Sequence, residues 1–140
     1  MAKVKMRPIG KSINRDHKFE LNQKGIAELN QRIQGLRDQC RAGWGQKYQE
    51  RVHAKGKLTS WERIEALKDP NSGIFPIGTF VNQNLVFEGG KESPSAGVIT
   101  AFVKVHDRWV VVIANDNTVA SGSWWPMTPE KIQRDRSSTD

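Results

Sequence analysis

The chain has 140 residues, of which 36% are apolar, and its 22 Lys and Arg against 15 Asp and Glu give a formal net charge of +7. Twelve glycines and a single cysteine complete a composition that is ordinary for a globular chain, and it excludes a collagen-like chain, an internal disulfide and a CxxC metal knuckle. No apolar run is long enough to cross a membrane and the N-terminus lacks the apolar core of a secretory signal, so we expect a cytoplasmic protein with no membrane partner.

The positive charge is concentrated in the first half of the chain. Residues 1–68 carry 16 basic and 7 acidic side chains, a net of +9, whereas residues 69–140 carry 6 basic and 8 acidic ones, a net of −2. The positive charge of residues 1–68 would suit binding to a nucleic acid, an anionic cofactor or an acidic partner surface. It is also typical of a helix face that is solvated and has no ligand. The basic residues are spread evenly and no known nucleic-acid-binding signature is found, so a nucleic-acid partner is not favoured.

The N-terminal third is predicted to be a flexible arm followed by a long helix. Residues 1–15 have no hydrophobic periodicity, which predicts the arm. From Asp16 apolar residues recur at a and d positions over about three heptads, and Gly43 is a natural stop. The stripe consists of Phe19, Ile26, Leu29, Ile33, Leu36 and Cys40. A helix of this kind cannot bury its stripe alone, so it packs on a neighbouring subunit or on the body of its own fold. Cys40 is interpreted as a small packed residue rather than a nucleophile.

Two short helices follow. The first spans about residues 46–55 and ends at Gly56. Thr59 and Glu62 have the spacing of a capping box, which opens a second helix over residues 60–68. Its side chains at positions 61, 64, 66 and 67 are predicted to face inward. Residues 16–68 therefore form a basic helical lead-in.

The second half is predicted to be rich in β-structure. Strands are expected at 79–87, 97–105 and 109–114, with a loop at 88–95 and a hairpin turn at 106–108. Four consecutive β-branched residues, from Val110 to Ile113, are typical of a strand covered on both faces. A polar loop and a helix that begins at Thr128, with Thr as N-cap, come next. This order is typical of a layered α/β fold whose ligands bind at the carboxyl ends of strands. No further strand follows, so we expect the core to be incomplete or to be completed by another polypeptide.

Few residues carry recognisable chemistry. The three histidines, His17, His53 and His106, are far apart, and no pair of ligands has the spacing of a metal site. Asp116 follows the buried strand, where it is either functional or the start of an Asx-turn. The backbone amides of residues 121–123 are candidates to hold an anion or a thioester oxygen. Trp124 and Trp125 either line a groove or pack in the core.

Three motifs in order resemble the carboxyltransferase subunits of biotin-dependent acyl-CoA carboxylases, of the acetyl-, propionyl- and methylcrotonyl-CoA carboxylase and glutaconyl-CoA decarboxylase type. They are KLTSWERIEAL with the DP and Ser that follow at 57–72, AGVIT at 96–100, and VVVIANDNTV with SGSW and PMT at 110–128. The resemblance covers about residues 45–134. The family commonly has lysine and glycine where Ala120 and Ser121 stand.

The resemblance implies an α/β fold: the helical lead-in, then residues 69–140 as the truncated first part of a crotonase-like domain of repeated ββα units. Members move a carboxyl group between carboxybiotin and an acyl-CoA, and hold the thioester oxygen with backbone amides of glycine-rich turns after the next strands. This sequence ends before those turns, and residues 135–140 do not resemble a continuing helix. We therefore expect a fragment, left by truncation or a shifted reading frame, that has no catalytic residues of its own and is inactive alone.

The resemblance also implies ligands and partners. Candidate contacts with CoA are Arg63, Asn115, Asp116, Asn117, Ser121 and Gly122. No covalently bound cofactor and no metal are expected, because biotin is carried by a partner carrier protein that works with a biotin carboxylase subunit. A homo-oligomer is expected. The alternative hypotheses are an assembly protein that uses the heptad helix and an open sheet edge, and a basic nucleic-acid-binding module.

Overall fold

A computed structural model of the chain describes residues 17–137, with side chains described from 17 to 134; the predicted arm at 1–15 lies outside the described residues. The helices are α1 (His17–Ala42), α2 (Gln46–His53), α3 (Ser60–Leu67) and α4 (Thr128–Ser137). The strands are β1 (Ile74–Ile77), β2 (Val86–Phe87), β3 (Lys91–Glu92), β4 (Val98–Val105) and β5 (Arg108–Asn115). The chain divides into two compact units, residues 1–34 and 35–140.

The first unit contains most of α1, whose predicted extent and stop are confirmed. The helix ends at Ala42, and Gly43 follows with a φ of +58°, a left-handed conformation that suits glycine. Within residues 17–34 the stripe residues Ile26 and Leu29 are exposed. The expectation that a neighbouring subunit or the body of the fold covers this stripe stays a prediction.

The last turns of α1 belong to the second unit, where Cys40 is buried as predicted. Its thiol donates a hydrogen bond to Gln83 Oε1 at 2.9 Å. Burial raises the pKa of the Cys40 thiol, and the charge of Lys131 offsets only part of that rise. A buried thiol with a raised pKa is a poor nucleophile, which agrees with its packing role.

The second unit is built on a three-stranded antiparallel sheet in the order β1-β4-β5. The predicted hairpin is confirmed: β4 and β5 pair from Val98 opposite Asn115 to Val105 opposite Arg108, and the turn residues His106 and Asp107 both have positive φ. Two such residues form the primed turn whose twist matches paired strands.

Helix α3 covers one face of this sheet. Thr59 and Glu62 form the predicted capping box, in which the Thr59 amide donates to the Glu62 carboxylate at 2.7 Å. The buried Ile64 of α3 packs on Ile99, Ala101 and Val103 of β4. This cluster is the hydrophobic core of the second unit. Through it, the last helix of the lead-in packs directly on the sheet.

The strand predicted at 79–87 is wrong except for its end, Val86–Phe87, which forms β2. Residues 79–84 form successive turns rather than a strand, because Asn82 and Asn84 adopt left-handed backbone with φ of 62°. The buried Asn82 side chain donates to Ser93 Oγ at 2.9 Å and to the Pro126 carbonyl at 2.7 Å, which fixes these turns. The strand that does pair with β4 is β1, which lies earlier and contains Pro76.

The two remaining differences concern exposed apolar residues. Ala66 and Leu67 of α3, predicted to face inward, are exposed. Strand β5, whose sequence is typical of a strand covered on both faces, leaves Val110 and Ile113 partly exposed. Because these two residues lie on opposite faces of the sheet, neither face of β5 is fully covered by the described residues 17–134.

Helix α4 completes the ββα order predicted from the sequence. The Thr128 hydroxyl accepts from the Trp125 amide at 2.9 Å and donates to the Ala96 carbonyl at 2.6 Å. The buried Lys131 ammonium donates to the carbonyls of Ser95 and Val98 at 2.9 and 2.7 Å. These bonds fasten α4 to the left-handed turn that precedes β4.

Candidate functional site

The candidate site is the loop that follows β5, from Asn115 to Gly122, together with the start of α3. Asp116 is buried at its base, and its backbone amide donates to the Gly97 carbonyl at 2.9 Å. Its Oδ1 accepts from the amide and the hydroxyl of Thr118 at 2.9 and 2.7 Å. This is an Asx-turn, the structural one of the two interpretations offered for Asp116.

The electrostatics of Asp116 follow from that position. Burial raises the pKa of the Asp116 carboxyl, and the two hydrogen bonds from Thr118 act in the opposite direction. The buried Asp116 carboxyl therefore holds the backbone of the loop in place through its hydrogen bonds with Thr118. A direct contact between Asp116 and a ligand stays a prediction.

Ser60 ties the loop to the first turn of α3. Its hydroxyl donates to the Asn115 carbonyl at 2.6 Å, and its amide donates to Asn117 Oδ1 at 3.1 Å. The Asn117 side chain also donates to the Leu58 carbonyl at 2.9 Å. Every polar group of the Asn117 side chain thus faces the start of α3. Sequence reasoning missed Ser60 as a site residue, although it lies inside the KLTSWERIEAL motif that was singled out.

Arg63 lies on α3, one turn after Ser60, and its side chain is exposed. The structure therefore brings the helix that carries Arg63 to the same place as Asn115 and Asn117. Because Arg63 is exposed, its guanidinium is available to an anionic ligand.

Ser121 and Gly122 lie at the far end of the loop, and both have left-handed backbone, with φ of 60° and 89°. A Cβ on Gly122 would lie 3.5 Å from the Asn115 Cβ, which places this end of the loop against its beginning. The Gly122 and Ser123 amides donate to the carbonyls of Val119 and Ala120 at 2.9 and 3.2 Å. In this structure those two amides close the loop rather than point to an open cradle.

A second contact holds the loop from the side of α1. A Cβ on Gly43 would overlap Thr118 Oγ1 and would lie 3.2 Å from Thr118 Cβ. Only glycine allows this approach between the end of α1 and the Asx-turn. The sequence identified Gly43 as a helix stop, but no local signal indicates which distant residue it touches.

One of the three histidines, His53, pairs with a carboxylate of α3. The exposed His53 contacts Glu62 Oε2 at 2.8 Å. That hydrogen bond, followed by those from Thr59, lowers the pKa of Glu62 to about 2. In residues 17–134, no three His, Cys, Asp or Glu side chains gather where they could hold a metal ion.

Two clefts open near these elements in the second unit. The larger, about 600 Å³, lies between the end of α1 and β3 and is lined by Cys40, Trp44, Tyr48 and Lys91 among others. The smaller, about 230 Å³, is lined by Arg41, Trp61, Glu62 and Thr118 among others. None of the six predicted CoA-contact residues lines either cleft. Within the loop, Thr118 lines the smaller cleft, Asp116 and Val119 are buried, and the exposed residues are Asn115 and Ser121.

Comparison with known proteins gives a family match. The family described as the carboxyl transferase domain matches residues 51–139. The expectations that the resemblance ends at residue 134 and that the helix does not continue from 135 are therefore wrong, since α4 runs to Ser137. The biotin-dependent 3-methylcrotonyl-coenzyme A carboxylase beta1 subunit of Mycobacterium tuberculosis is 34% identical over 109 residues, covering 78% of this chain and 19% of that subunit. The methylmalonyl-CoA decarboxylase subunit alpha of Veillonella parvula is 36% identical over 112 residues, covering 76% and 22%.

Solved structures of carboxyltransferases also match the fold of this chain. The transcarboxylase 12S structure, a hexamer assembly with methylmalonyl-coenzyme A bound, matches with a TM-score of 0.69 at 27% identity, over 77% of this chain and 21% of that one. The beta subunit of geranyl-CoA carboxylase from P. aeruginosa shares the fold, with a TM-score of 0.64 at 17% identity, over 93% and 24%. The chain spans about a fifth of the length of the relatives it matches.

Proposed function

Because the chain belongs to the carboxyl transferase domain family, we propose that it supplies the first part of an acyl-CoA carboxyltransferase, a protein that moves a carboxyl group between carboxybiotin and an acyl-CoA. The resemblance seen in the sequence motifs is confirmed by the family match, and the crotonase-like α/β fold by the solved relatives. One observation carries the proposal: the matched residues 51–139 coincide with α3, the three-stranded sheet, the 115–122 loop and α4.

The chain by itself is proposed to be catalytically inactive. It spans about a fifth of its relatives, and none of the six candidate CoA-contact residues lines either of the two clefts described above. The Gly122 and Ser123 amides are engaged within the loop, so they are not aimed at a developing oxyanion. Since such catalysis depends on donors held in place before the reaction, the remaining part of the fold has to supply them.

The role proposed for the candidate residues is to contact the CoA part of the substrate. Ser60 brings Asn115 and Asn117 to the helix that carries Arg63. The guanidinium of Arg63 is exposed and suits the phosphates of CoA. Asp116 is proposed to act indirectly, by holding the loop, and the exposed hydroxyl of Ser121 is available to a polar group of the ligand.

The proposed partners also follow from membership of the carboxyl transferase domain family. Biotin is proposed to arrive on a carrier protein that works with a biotin carboxylase subunit, in a ligase-type reaction, and the assembled protein is proposed to be a cytoplasmic homo-oligomer. The names of the relatives support this: one is a biotin-dependent subunit and another forms a hexamer. None of the helices in the described part of the chain is both long and apolar enough to cross a membrane.

Two measurements test the proposal. The purified chain is assayed with N-carboxybiotin and with acetyl-, propionyl- and 3-methylcrotonyl-CoA, and the complete subunit of Mycobacterium tuberculosis serves as the positive control. We expect no transfer by the chain above the rate without protein, and turnover would refute its inactivity. Binding of CoA is then measured by calorimetry. Arg63→Gln is expected to weaken it, whereas Arg51→Gln, an exposed arginine on α2, is not; equal effects would refute the assignment of Arg63.

An assembly role is the second candidate, and it is favoured by the exposure of Ile26 and Leu29 on α1. Light scattering at increasing concentration tests it, because a discrete oligomer that Ile26→Lys disrupts would support the stripe as an interface. Retention of the chain on duplex or single-stranded nucleic acid that falls steeply with salt would instead support the basic-module hypothesis.

A further inference from the structure

A buried donor on α3 has no acceptor among the described side chains and backbone groups. The indole nitrogen Nε1 of Trp61 is buried, and no residue in the range 17–134 accepts a hydrogen bond from it. The Trp61 ring packs against the core cluster that contains Ile64, and Arg41 Cζ lies 4.9 Å from the centroid of the ring. A buried indole N–H ordinarily has a hydrogen-bond partner, so we expect a further acceptor beside it.

A small internal cavity lies beside Trp61. Its volume is about 10 Å³, and it lies where the end of α1 and helix α3 meet strands β1 and β4. The polar side chains that line it include those of Trp61, Thr79 and Asp116. All of these residues belong to the second unit. A cavity of this size is just large enough for one water molecule, so any ligand bound in it is a single water.

The cavity offers complementary polar groups to such a water. Trp61 supplies an N–H donor. Asp116 is 3% exposed, and its Oδ1 accepts both hydrogen bonds from Thr118, whereas no group in the described part of the chain donates to its Oδ2. The Thr79 hydroxyl makes no hydrogen bond with the described residues either. A buried water typically makes about three hydrogen bonds, and an N–H, a carboxylate oxygen and a hydroxyl supply that number.

The other polar side chains that line the cavity already have partners. The Cys40 thiol donates to Gln83 Oε1 at 2.9 Å, and the Thr100 hydroxyl donates to the Ile77 carbonyl at 2.9 Å. The Ser95 hydroxyl donates to a carbonyl of β4 at 3.4 Å. The groups that still need a partner are therefore the ones that a single water can join.

We propose that one ordered water molecule binds in this cavity, where it accepts the hydrogen bond of Trp61 Nε1 and donates to Asp116 Oδ2, with Thr79 as its third partner. Trp61 is then a positioning residue, because it acts on Asp116 through the water and touches no substrate.

Two neighbouring residues of α3 then hold the 115–122 loop at two points. Ser60 bonds directly to the loop at Asn115 and Asn117. Trp61 holds the base of the loop, since Asp116 is the residue that forms the Asx-turn. The loop carries residues proposed to contact CoA, so the positioning role for that ligand rests on the proposed function.

Water-selective NMR spectroscopy of the full, isotope-labelled chain tests the water site. We expect the Trp61 Hε1 proton to show a cross-peak with water whose sign is opposite in the NOE and ROE spectra, which distinguishes bound water from proton exchange with solvent. The absence of this cross-peak would overturn the inference. In Thr79→Val the cross-peak is expected to persist. Its loss in that variant would assign the signal to the hydroxyl proton and would also overturn the inference.

Matched variants test the positioning role. Trp61→Phe keeps an aromatic ring and removes the N–H, and it is expected to speed exchange of the Thr118 amide, which donates to Asp116 Oδ1, by about tenfold. Trp125→Phe removes the same atoms from the other buried indole without a partner in residues 17–134, and Trp125 does not line this cavity, so no change is expected. Equal effects would refute the positioning role. Asp116→Asn decides where Trp61→Phe does not fold: the Trp61 Hε1 resonance is expected to shift upfield, and an unchanged resonance would refute the bridge.

The water site and the proposed function fail separately, because these spectra are recorded without CoA. A chain that shows the water cross-peak at Trp61 but does not bind CoA would retain the water site and count against the proposed role of the loop. A chain that binds CoA without the cross-peak would do the reverse.

Discussion

Substitution of Gly43 by alanine tests how the end of α1 supports the 115–122 loop. Gly43 has a φ of +58°, and left-handed backbone costs an L-residue about 1 kcal/mol. The new Cβ would also overlap Thr118 Oγ1, so the hydroxyl has to leave Asp116 Oδ1, now 2.7 Å away. A hydrogen bond to a carboxylate contributes about 2 kcal/mol, so Gly43→Ala is expected to lower the free energy of unfolding by about 3 kcal/mol.

The chain offers a matched control for this prediction. Gly56 has a φ of +65°, and nothing lies within 4 Å of a Cβ built on it. Gly56→Ala therefore carries the backbone cost alone, about 1 kcal/mol. Both variants are measured by urea unfolding at neutral pH, followed by circular dichroism. A difference of about 2 kcal/mol between them is the contribution of the contact with Thr118.

A double substitution shows whether the contact is the cause. In a Thr118→Ala background the hydroxyl is gone, so Gly43→Ala is expected to cost about 1 to 2 kcal/mol less than in the native chain. If Gly43→Ala and Gly56→Ala are equally destabilising, or if the cost of Gly43→Ala is the same in both backgrounds, the reasoning that links α1 to the loop is wrong.

Three further predictions concern single side chains. Asn117→Ala leaves the backbone groups at the start of α3 unpaired and is expected to cost about 2 kcal/mol in urea unfolding, whereas the exposed Gln133→Ala is expected to cost nothing measurable; equal costs would refute the role of this tie. The pKa of Glu62 in the folded chain is lowered to about 2, so the ionised carboxylate stabilises the fold fully above its ordinary pKa of 4.5, and this stabilisation is lost as the pH falls toward 2. Glu62→Gln should remove this part of the pH dependence of the free energy of unfolding. An unchanged dependence on pH in the variant would contradict the prediction. Lys131→Met leaves the carbonyls of Ser95 and Val98 without their hydrogen bonds from Lys131, and it is expected to lower the free energy of unfolding by about 3 kcal/mol. Lys91→Met, at an exposed position, is expected to have an effect near zero. Similar effects of the two substitutions would exclude the role of Lys131 in holding α4.

Elements with strong local signals were predictable from the sequence. The capping box of Thr59 and Glu62 fixes the start of α3, and the separation of two β-branched runs by His106 and Asp107 fixes the hairpin. The Asx-turn at Asp116 is local too, since its partner is two residues away. Each of these depends on neighbours in sequence, so a single chain is enough to identify it.

Elements decided by distant contacts were not predictable. The turns around Asn82 replace the expected strand because its side chain is buried against Ser93 and Pro126. The tie between Ser60 and Asn117 joins residues 57 positions apart, and no periodicity indicates such a pair. The inward-facing pattern predicted for Leu67 failed: Ile64 and Trp61 make the contacts of α3 with the sheet, and Leu67 is 49% exposed.

Pro76 makes the two edges of the three-stranded sheet chemically different. It lies in β1, opposite Ala101, and proline has no amide hydrogen to offer a neighbouring strand. That side of the sheet is therefore a poor template for another polypeptide, while the opposite side has a full set of donors. We therefore expect a further strand to pair with β5 rather than with β1. Since the unit exposes apolar residues such as Phe75 and Trp109, we also expect Pro76 to limit aggregation at the β1 edge.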